Sequence, residues 1–412
     1  MTRTSANARR CFLQAGFALA MIAAPQAASA GKVETVIHAF KLGGDGGFPY
    51  ASLLADKQGN FTGTTQWGGT STQCTNGCGT VFRLTADGAE SVLYSFCPAS
   101  SCADGEQPLA GLIADKAGDL YGTTYLGGAH DLGTVFRLAP DGTESVLWSF
   151  GAKSGDGAYP LASLILDGAG NLYGTTSGGG HDGKCRHMGI GCGTVFRLAP
   201  DGTEVVLYRF DGKRDGGNPY AELIRDKAGN LYGTTLFGGR GQSGTVFRLA
   251  PDGAETVLSH FQNGLDFQSP HGGLIADRAG NLYGTTFLGG GYGMGSVFKI
   301  TPKGEATALH VFSGGDGEYP ESRLVMDAAG NLYGTTSEGG AENDGTVFEL
   351  APDGTESVLY SFCGQSKCKD GATPVAGLTK DRAGHLYGTT LDGGDVACDK
   401  GEGCGTIFRI KN

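Results

Sequence analysis

Apolar and β-branched residues fall along this chain in short runs of five to seven, and the runs come in groups of four. One group is residues 161–166, 171–176, 193–198 and 204–210, with glycine, asparagine, aspartate or proline between the runs. Runs of that length bounded by turn chemistry predict β-strands, and four in succession predict one antiparallel sheet. Between the first and second runs stands D-x-x-G-N, from Asp56 to Asn60 in the first copy and Asp327 to Asn331 in the sixth, with Asp119 in place of Asn in the second and His385 in the seventh. Between the third and fourth stands P-D-G, as at Pro140-Asp141-Gly142, with Ala86 replacing Pro in the first copy and Lys303 replacing Asp in the fifth. Both read as tight hairpin turns. The runs do not alternate strictly between apolar and polar residues, so both faces of each sheet are expected to be covered, and no helical periodicity interrupts them.

The groups repeat. FTGTT at Phe61 is followed by LYGTT at Leu120, Leu172, Leu231, Leu282, Leu332 and Leu386, which puts the central glycines at 63, 122, 174, 233, 284, 334 and 388. Intervals of 50 to 59 residues suit propeller blades and are too long for leucine-rich or ankyrin units. Small residues recur near the start of each first run (Ala51, Ala110, Ala162, Ala221, Gly272, Ser322, Ala376), as expected of strands converging on an axis. Residues 405–410 form a third run without a fourth after it, and residues 34–40 match residues 90–96, a fourth run. The expected fold is therefore all-β, a seven-bladed β-propeller over residues 31–412, with four-stranded antiparallel blades and the last blade closed by the N-terminal strand. Such a ring leaves no open sheet edge, and a monomer is expected.

The strings LYGTT-x-x-GG, GTVF-x-L-x-PDG-x-E and VLYSF resemble those of the GloVer tandem-repeat family, bacterial exported proteins with a choice of C-terminal anchors. The resemblance covers residues 33–410 and carries over no activity. Asn412 follows the last repeat without a sorting tail, so surface anchoring is not expected.

Residues 1–30 read as an export signal: Arg3, Arg9 and Arg10, an apolar stretch, and Ala28-Ser29-Ala30 as a cleavage site. The string around Arg9-Arg10 resembles the twin-arginine signal, with the general secretory route as alternative. The apolar stretch is too short for a permanent span, and none follows it. Periplasmic or extracellular location is expected. Losing three arginines moves the formal charge from −11 to −14, which disfavours nucleic acid and anionic lipid as partners.

Cys11 leaves with the signal. The other ten cysteines form five local pairs, Cys74/Cys78, Cys97/Cys102, Cys185/Cys192, Cys363/Cys368 and Cys398/Cys404, which in an exported chain are expected as disulfides rather than metal ligands. Three pairs lie between second and third strands and two between a fourth strand and the next blade. In a propeller both loop types open on one face, so binding is expected there.

Residues that break the repeat on that face are the candidates for function. The aromatics Trp67, Tyr125, Phe237, Phe287 and Tyr292 would stack on sugar rings or anchor a protein; packing beneath the loops is the alternative. His130, His181 and His187, with Asp131, Asp182, Asp395, Asp399 and His271, offer metal ligands or acid–base groups without a fixed mutual geometry. A sevenfold aspartate four residues before a proline (Asp45, Asp104, Asp156, Asp215, Asp266, Asp316, Asp370) would either cap its own turn or gather Ca²⁺. No cofactor motif, nucleophile elbow or H-E-x-x-H is present. Two functions are expected to compete: an extracytoplasmic binding or scaffold module for a glycan or protein, and a lyase or hydrolase with a His/Asp site at the pore mouth.

Overall fold

The computed structural model describes residues 32–411 apart from 100, 181–190, 263–266, 396 and 399–400. The expected export signal lies outside the described residues.

Seven four-stranded antiparallel sheets form a closed propeller. In the second blade the strands run outward from the axis as Ile113–Ala114, Leu120–Thr124, Thr134–Leu138 and Glu144–Ser149. In the seventh the order is Thr379–Lys380, Leu386–Thr390, Thr406–Ile410 and, on the outer edge, Glu34–Ala39 from the other end of the chain. No helix among the described residues is long and apolar enough to cross a membrane.

Each letter of the G-T-T string has its own task. The glycine lies under the phenylalanine of the third strand: a Cβ on Gly122 would sit 2.7 Å from the Cζ of Phe136. The first threonine stitches blades together, as when Thr64 donates to the carbonyl of Ala110 at 3.0 Å and Thr335 to that of Ala376 at 3.0 Å. The second pairs with the hydroxyl opening the third strand, Thr65 with Thr80 and Thr390 with Thr406, both at 2.8 Å. The tyrosine of LYGTT ties the hairpin turn, Tyr173 donating to Asp167 at 3.0 Å.

One expectation about the strands needs correction. The first run is far shorter as a paired strand than its apolar length suggests, for only Ile165–Leu166 of residues 161–166 joins the ladder. Nearer the axis a carbonyl of this run, that of Ala162, faces the preceding blade's threonine hydroxyl (Thr123, 3.5 Å). A further two-stranded pairing, Gly157–Ala158 with Gly178–Gly179, sits among the third blade's loops. The lack of strict alternation in the fourth run has a local cause: a bulge. Val206 opposes Phe196 and Tyr208 opposes Val195, leaving Leu207 unpaired between them, and the other six blades carry the same shift. The bulge re-aims the strand so that successive side chains reach the neighbouring blade.

The core is distributed between blades. The phenylalanine ending each fourth strand meets the third-strand phenylalanine of the next blade edge-on, Phe96 with Phe136 at 5.0 Å and Phe362 with Phe408 at 4.9 Å, and Phe40 with Phe82 at 5.3 Å closes the circle. All of these rings are fully buried. Such pairs add about 0.5–1.5 kcal/mol each beyond area burial.

Candidate functional site: the axial throat on the braced face

The two ends of the axis differ. At one, the hairpin turns of the seventh, first, second and third blades line an open cavity of about 1450 Å³. Its aspartates are committed to the turns: Asp56 accepts from the backbone of Gln58 and Asn60 and from the Asn60 side chain at 2.7–2.9 Å. Burial alone pushes its carboxyl up, but these bonds outweigh it and hold it below the usual carboxylate range.

The other end is built by the proline of each blade. The residue before the D-x-x-x-P proline of each blade, from Pro49 to Pro374, takes a left-handed backbone, with φ from 53° at Ser269 to 58° at Tyr159. It is clamped from both sides. Gln107 donates its N–H to the carbonyl of Cys78 at 2.8 Å and accepts from the N–H of Tyr125 at 3.0 Å; Phe48 and Asn218 donate likewise to the carbonyls of Cys404 and Cys192. The strained conformation persists because neighbouring loops fix it.

Four disulfides join Cys74–Cys78, Cys97–Cys102, Cys363–Cys368 and Cys398–Cys404. Cys192 is also disulfide-bonded, and its expected partner Cys185 lies outside the described residues. The Cys78, Cys192 and Cys404 bridges therefore anchor carbonyls that hold the proline loops. Disulfides at this density belong to an oxidising, extracytoplasmic compartment.

The residue after each of these D-x-x-x-P prolines lines a throat of about 240 Å³. Three blades place Leu109, Leu161 and Val375 there, and four place groups with polar chemistry: Tyr50, Tyr220, His271 and Glu321. His271 Nδ1 lies 3.5 Å from Glu321 Oε2, an ion pair when the imidazole is protonated. Desolvation in the throat, then the charge of Glu321 and the phenol of Tyr220, push the Tyr50 phenol up to about 12, so Tyr50 is neutral at physiological pH. Two residues further along, Glu222 and Arg323 meet at 3.0 Å across the fifth blade. That blade has glycine at the equivalent position, and a Cβ on Gly273 would fall 2.7 Å from Glu222 Cγ.

Above the throat stands an aromatic wall. His271 lies 5.5 Å from Tyr220 and stacks on Phe287 at 5.1 Å, and Phe287 stacks on Tyr319 at 4.8 Å. On the second and third blades Tyr125 lies 5.2 Å from Tyr159.

The expected site residues thus separate. Tyr125 and Phe287, directly after G-T-T, belong to the wall. Trp67 and Phe237 occupy the next position, of opposite parity, where their backbones pair with Gly47 and Gly217, and Gln66 rather than Trp67 lines the throat. Tyr292 is 68% exposed on its loop. His130 is exposed, and the neighbouring Asp131 accepts from the Gly127 N–H at 3.0 Å. Asp395 caps the Ala397 N–H. His181, His187, Asp182 and Asp399 lie outside the described residues. Among the described residues, His130 and His271 are not brought together.

The described aspartates before the prolines serve their own loops: Asp104 accepts from Tyr94 and the Cys97 N–H, both at 2.9 Å, and Asp370 from Tyr360 at 2.7 Å and the Gly364 N–H at 3.0 Å. Asp266 lies outside the described residues.

Tyr50, Tyr220, Glu222, Glu321 and Arg323 were not among the sequence candidates. Their signal was available in the positions one and three after each proline, where the repeat changes residue class from blade to blade.

A family model described as the Gloeobacter/Verrucomicrobia repeat matches residues 26–186 and again 185–408. No curated protein matches the sequence. Among solved structures, the extracellular domain of a one component system, BT4673 of B. thetaiotaomicron, has a TM-score of 0.56 at 13% identity, over 90% of this chain and 39% of that one. A puromycin hydrolase mutant complexed with PGG has a TM-score of 0.55 at 13% identity, over 84% and 50%. The chain therefore spans half or less of these relatives' length, and the likeness shows the propeller fold alone.

Proposed function

The chain belongs to the Gloeobacter/Verrucomicrobia repeat family, and we propose that this propeller is a periplasmic or extracellular binding module that takes its ligand at the aromatic-walled mouth of the braced face. One observation carries the reading. The residues that follow the D-x-x-x-P prolines change chemical class from blade to blade and converge on a single throat, while the turn aspartates at the opposite mouth, such as Asp56 and Asp167, are bonded within their own turns. A wall of planar rings above a cavity with few, specific polar groups is the composition of a recognition site.

The pairing of His271 with Glu321 supports a second reading, a lyase or hydrolase with His271 as general base. Purified protein screened on glycan arrays and against envelope proteins separates the two. The binding reading expects saturable binding that Phe287→Ala and Tyr220→Ala weaken at least about tenfold. Turnover of a bound ligand that His271→Ala abolishes would favour the enzyme, and absence of any binding partner would sink the module.

A further inference from the structure

We infer that the ligand is a neutral glycan read end-on, with one terminal sugar ring seated in the throat and the Glu222–Arg323 bridge as its floor. The inference rests on the proposed binding role of this mouth and adds the ligand's class and orientation.

The floor comes from the cavities. Glu222 and Arg323 line both the throat of about 240 Å³ and a second cavity of about 700 Å³ further down the axis, where Leu54, Ile113, Ile165 and Val325 replace the polar groups. The 3.0 Å bridge therefore lies where the polar throat gives way to an apolar channel. A polar ligand entering from the aromatic side loses its hydrogen-bonding partners below this level, so it stops there.

Neutrality comes from the charge balance. The carboxylate of Glu222 is matched by Arg323, and that of Glu321 lies 3.5 Å from His271, which balances it when the imidazole is protonated. An anionic group would meet two carboxylates, and a cation would compete with Arg323. The donor and acceptor set fits hydroxyls: carboxylates accept, the guanidinium donates, and the phenols of Tyr50 and Tyr220 do both. Leu109, Leu161 and Val375 offer the apolar patch that the C–H face of a pyranose requires. Tyr319, held in place by stacking on Phe287, would meet the next sugar outward.

The test uses the mature protein on an array of neutral oligosaccharides in which the terminal hexose varies over shared backbones, with free glucose, galactose and mannose as competitors. The expected result is binding that follows the terminal residue, is competed by the matching free hexose, and falls at least about tenfold in Glu222→Gln and in Tyr50→Phe. Thermal melts of both variants establish that they fold; Tyr50→Phe removes one hydroxyl and keeps the ring. Phe287→Ala should cost longer oligosaccharides more than free hexose. Binding that ignores the terminal sugar, or that tracks an internal epitope, overturns the end-on inference and leaves the module standing. So does a silent array with Phe287-dependent capture of an envelope protein. A silent array with no protein captured overturns both.

Discussion

Glu34 lies opposite Ile410, the first residue of the outermost strand of the seventh blade against the last residue of the strand it covers. The same segment carries Phe40, whose ring meets Phe82 of the first blade at 5.3 Å. Removing residues 32–40 would uncover the edge of Thr406–Ile410 and leave Phe82 without its partner. The truncated protein is expected to form soluble oligomers or aggregates and to melt at lower temperature, and a synthetic peptide of residues 32–42 added in excess should restore the monomer. Size-exclusion chromatography with light scattering reads both effects; a monomeric truncation with an unchanged melt would mean that the ring does not depend on this strand.

The glycines of the repeat are not interchangeable. A Cβ on Gly174 would sit 2.7 Å from Phe196 Cζ and 2.9 Å from Leu164 Cδ2, both fully buried, whereas one on Gly168 would meet nothing within 4 Å and needs no left-handed backbone. Gly174→Ala is expected to cost about 1–3 kcal/mol through overpacking. Gly168→Ala is expected to be neutral or to add about 0.4–1 kcal/mol by restricting the unfolded chain. Paired urea titrations decide it, and equal effects would refute the packing account.

Much of this architecture is written in the repeat because each blade solves the same local problem. The threonine of G-T-T needs a neighbour's carbonyl, the glycine needs to fit beneath a phenylalanine, and the aspartate needs its own turn. These requirements are met within one blade or between adjacent ones, so they recur at fixed spacing. The throat is different. Glu222 and Arg323 stand two blades apart, and only closure of the ring sets their distance. Tyr50 reaches the influence of Glu321 by the same route. Parity was the other hidden variable: Phe287 and Trp67 both follow a G-T-T, but they stand one position apart along an extended backbone, so they face opposite ways.

The disulfides should matter more to the loops than to the fold. Closing a loop the size of Cys74–Cys78 contributes about 2 kcal/mol on the chain-entropy model, and its local effect is to hold the Cys78 carbonyl against the Gln107 N–H. Cys74→Ser/Cys78→Ser is expected to lower global stability modestly, while amide exchange at Gln107 and Tyr125 accelerates well beyond the protein average. Uniform acceleration across all blades would contradict a local role. Peptide mapping without reduction should also recover Cys185 joined to Cys192.

Stability should respond to pH in a specific direction. The Glu34, Glu144 and Glu255 carboxyls are pushed up to about 7, first by burial and then by Asp370, Asp104 and Asp215 in adjoining loops. Because these folded-state values exceed the ordinary 4.5, the native protein binds more protons than the unfolded chain between about 4.5 and 7. Stability therefore falls as pH rises through that window and levels off above it. The turn aspartates Asp56, Asp167 and Asp277 act oppositely: held below 3.8, they withdraw stability only as pH drops beneath that value. Melting temperature is expected to peak near the acid end of the window. Glu144→Gln should flatten the descent and raise the melt at pH 8; a steeper descent in that variant would reverse the assignment.

The bridge between Glu222 and Arg323 should be weak as a structural element. The Arg323 side chain is 47% exposed, and ion pairs of that exposure typically couple by about 0.2–1 kcal/mol. What makes the pair unusual is the space cleared for it, since Gly273 is the residue that lets the Glu222 side chain cross the fifth blade. A double-mutant cycle with Glu222→Gln and Arg323→Met, read by urea denaturation, is expected to return a coupling within that small range. Gly273→Ala should displace the Glu222 side chain without unfolding the blade. A coupling above about 3 kcal/mol would instead mark the bridge as a buried structural pair, and the throat would then have a floor placed for the fold rather than for a ligand.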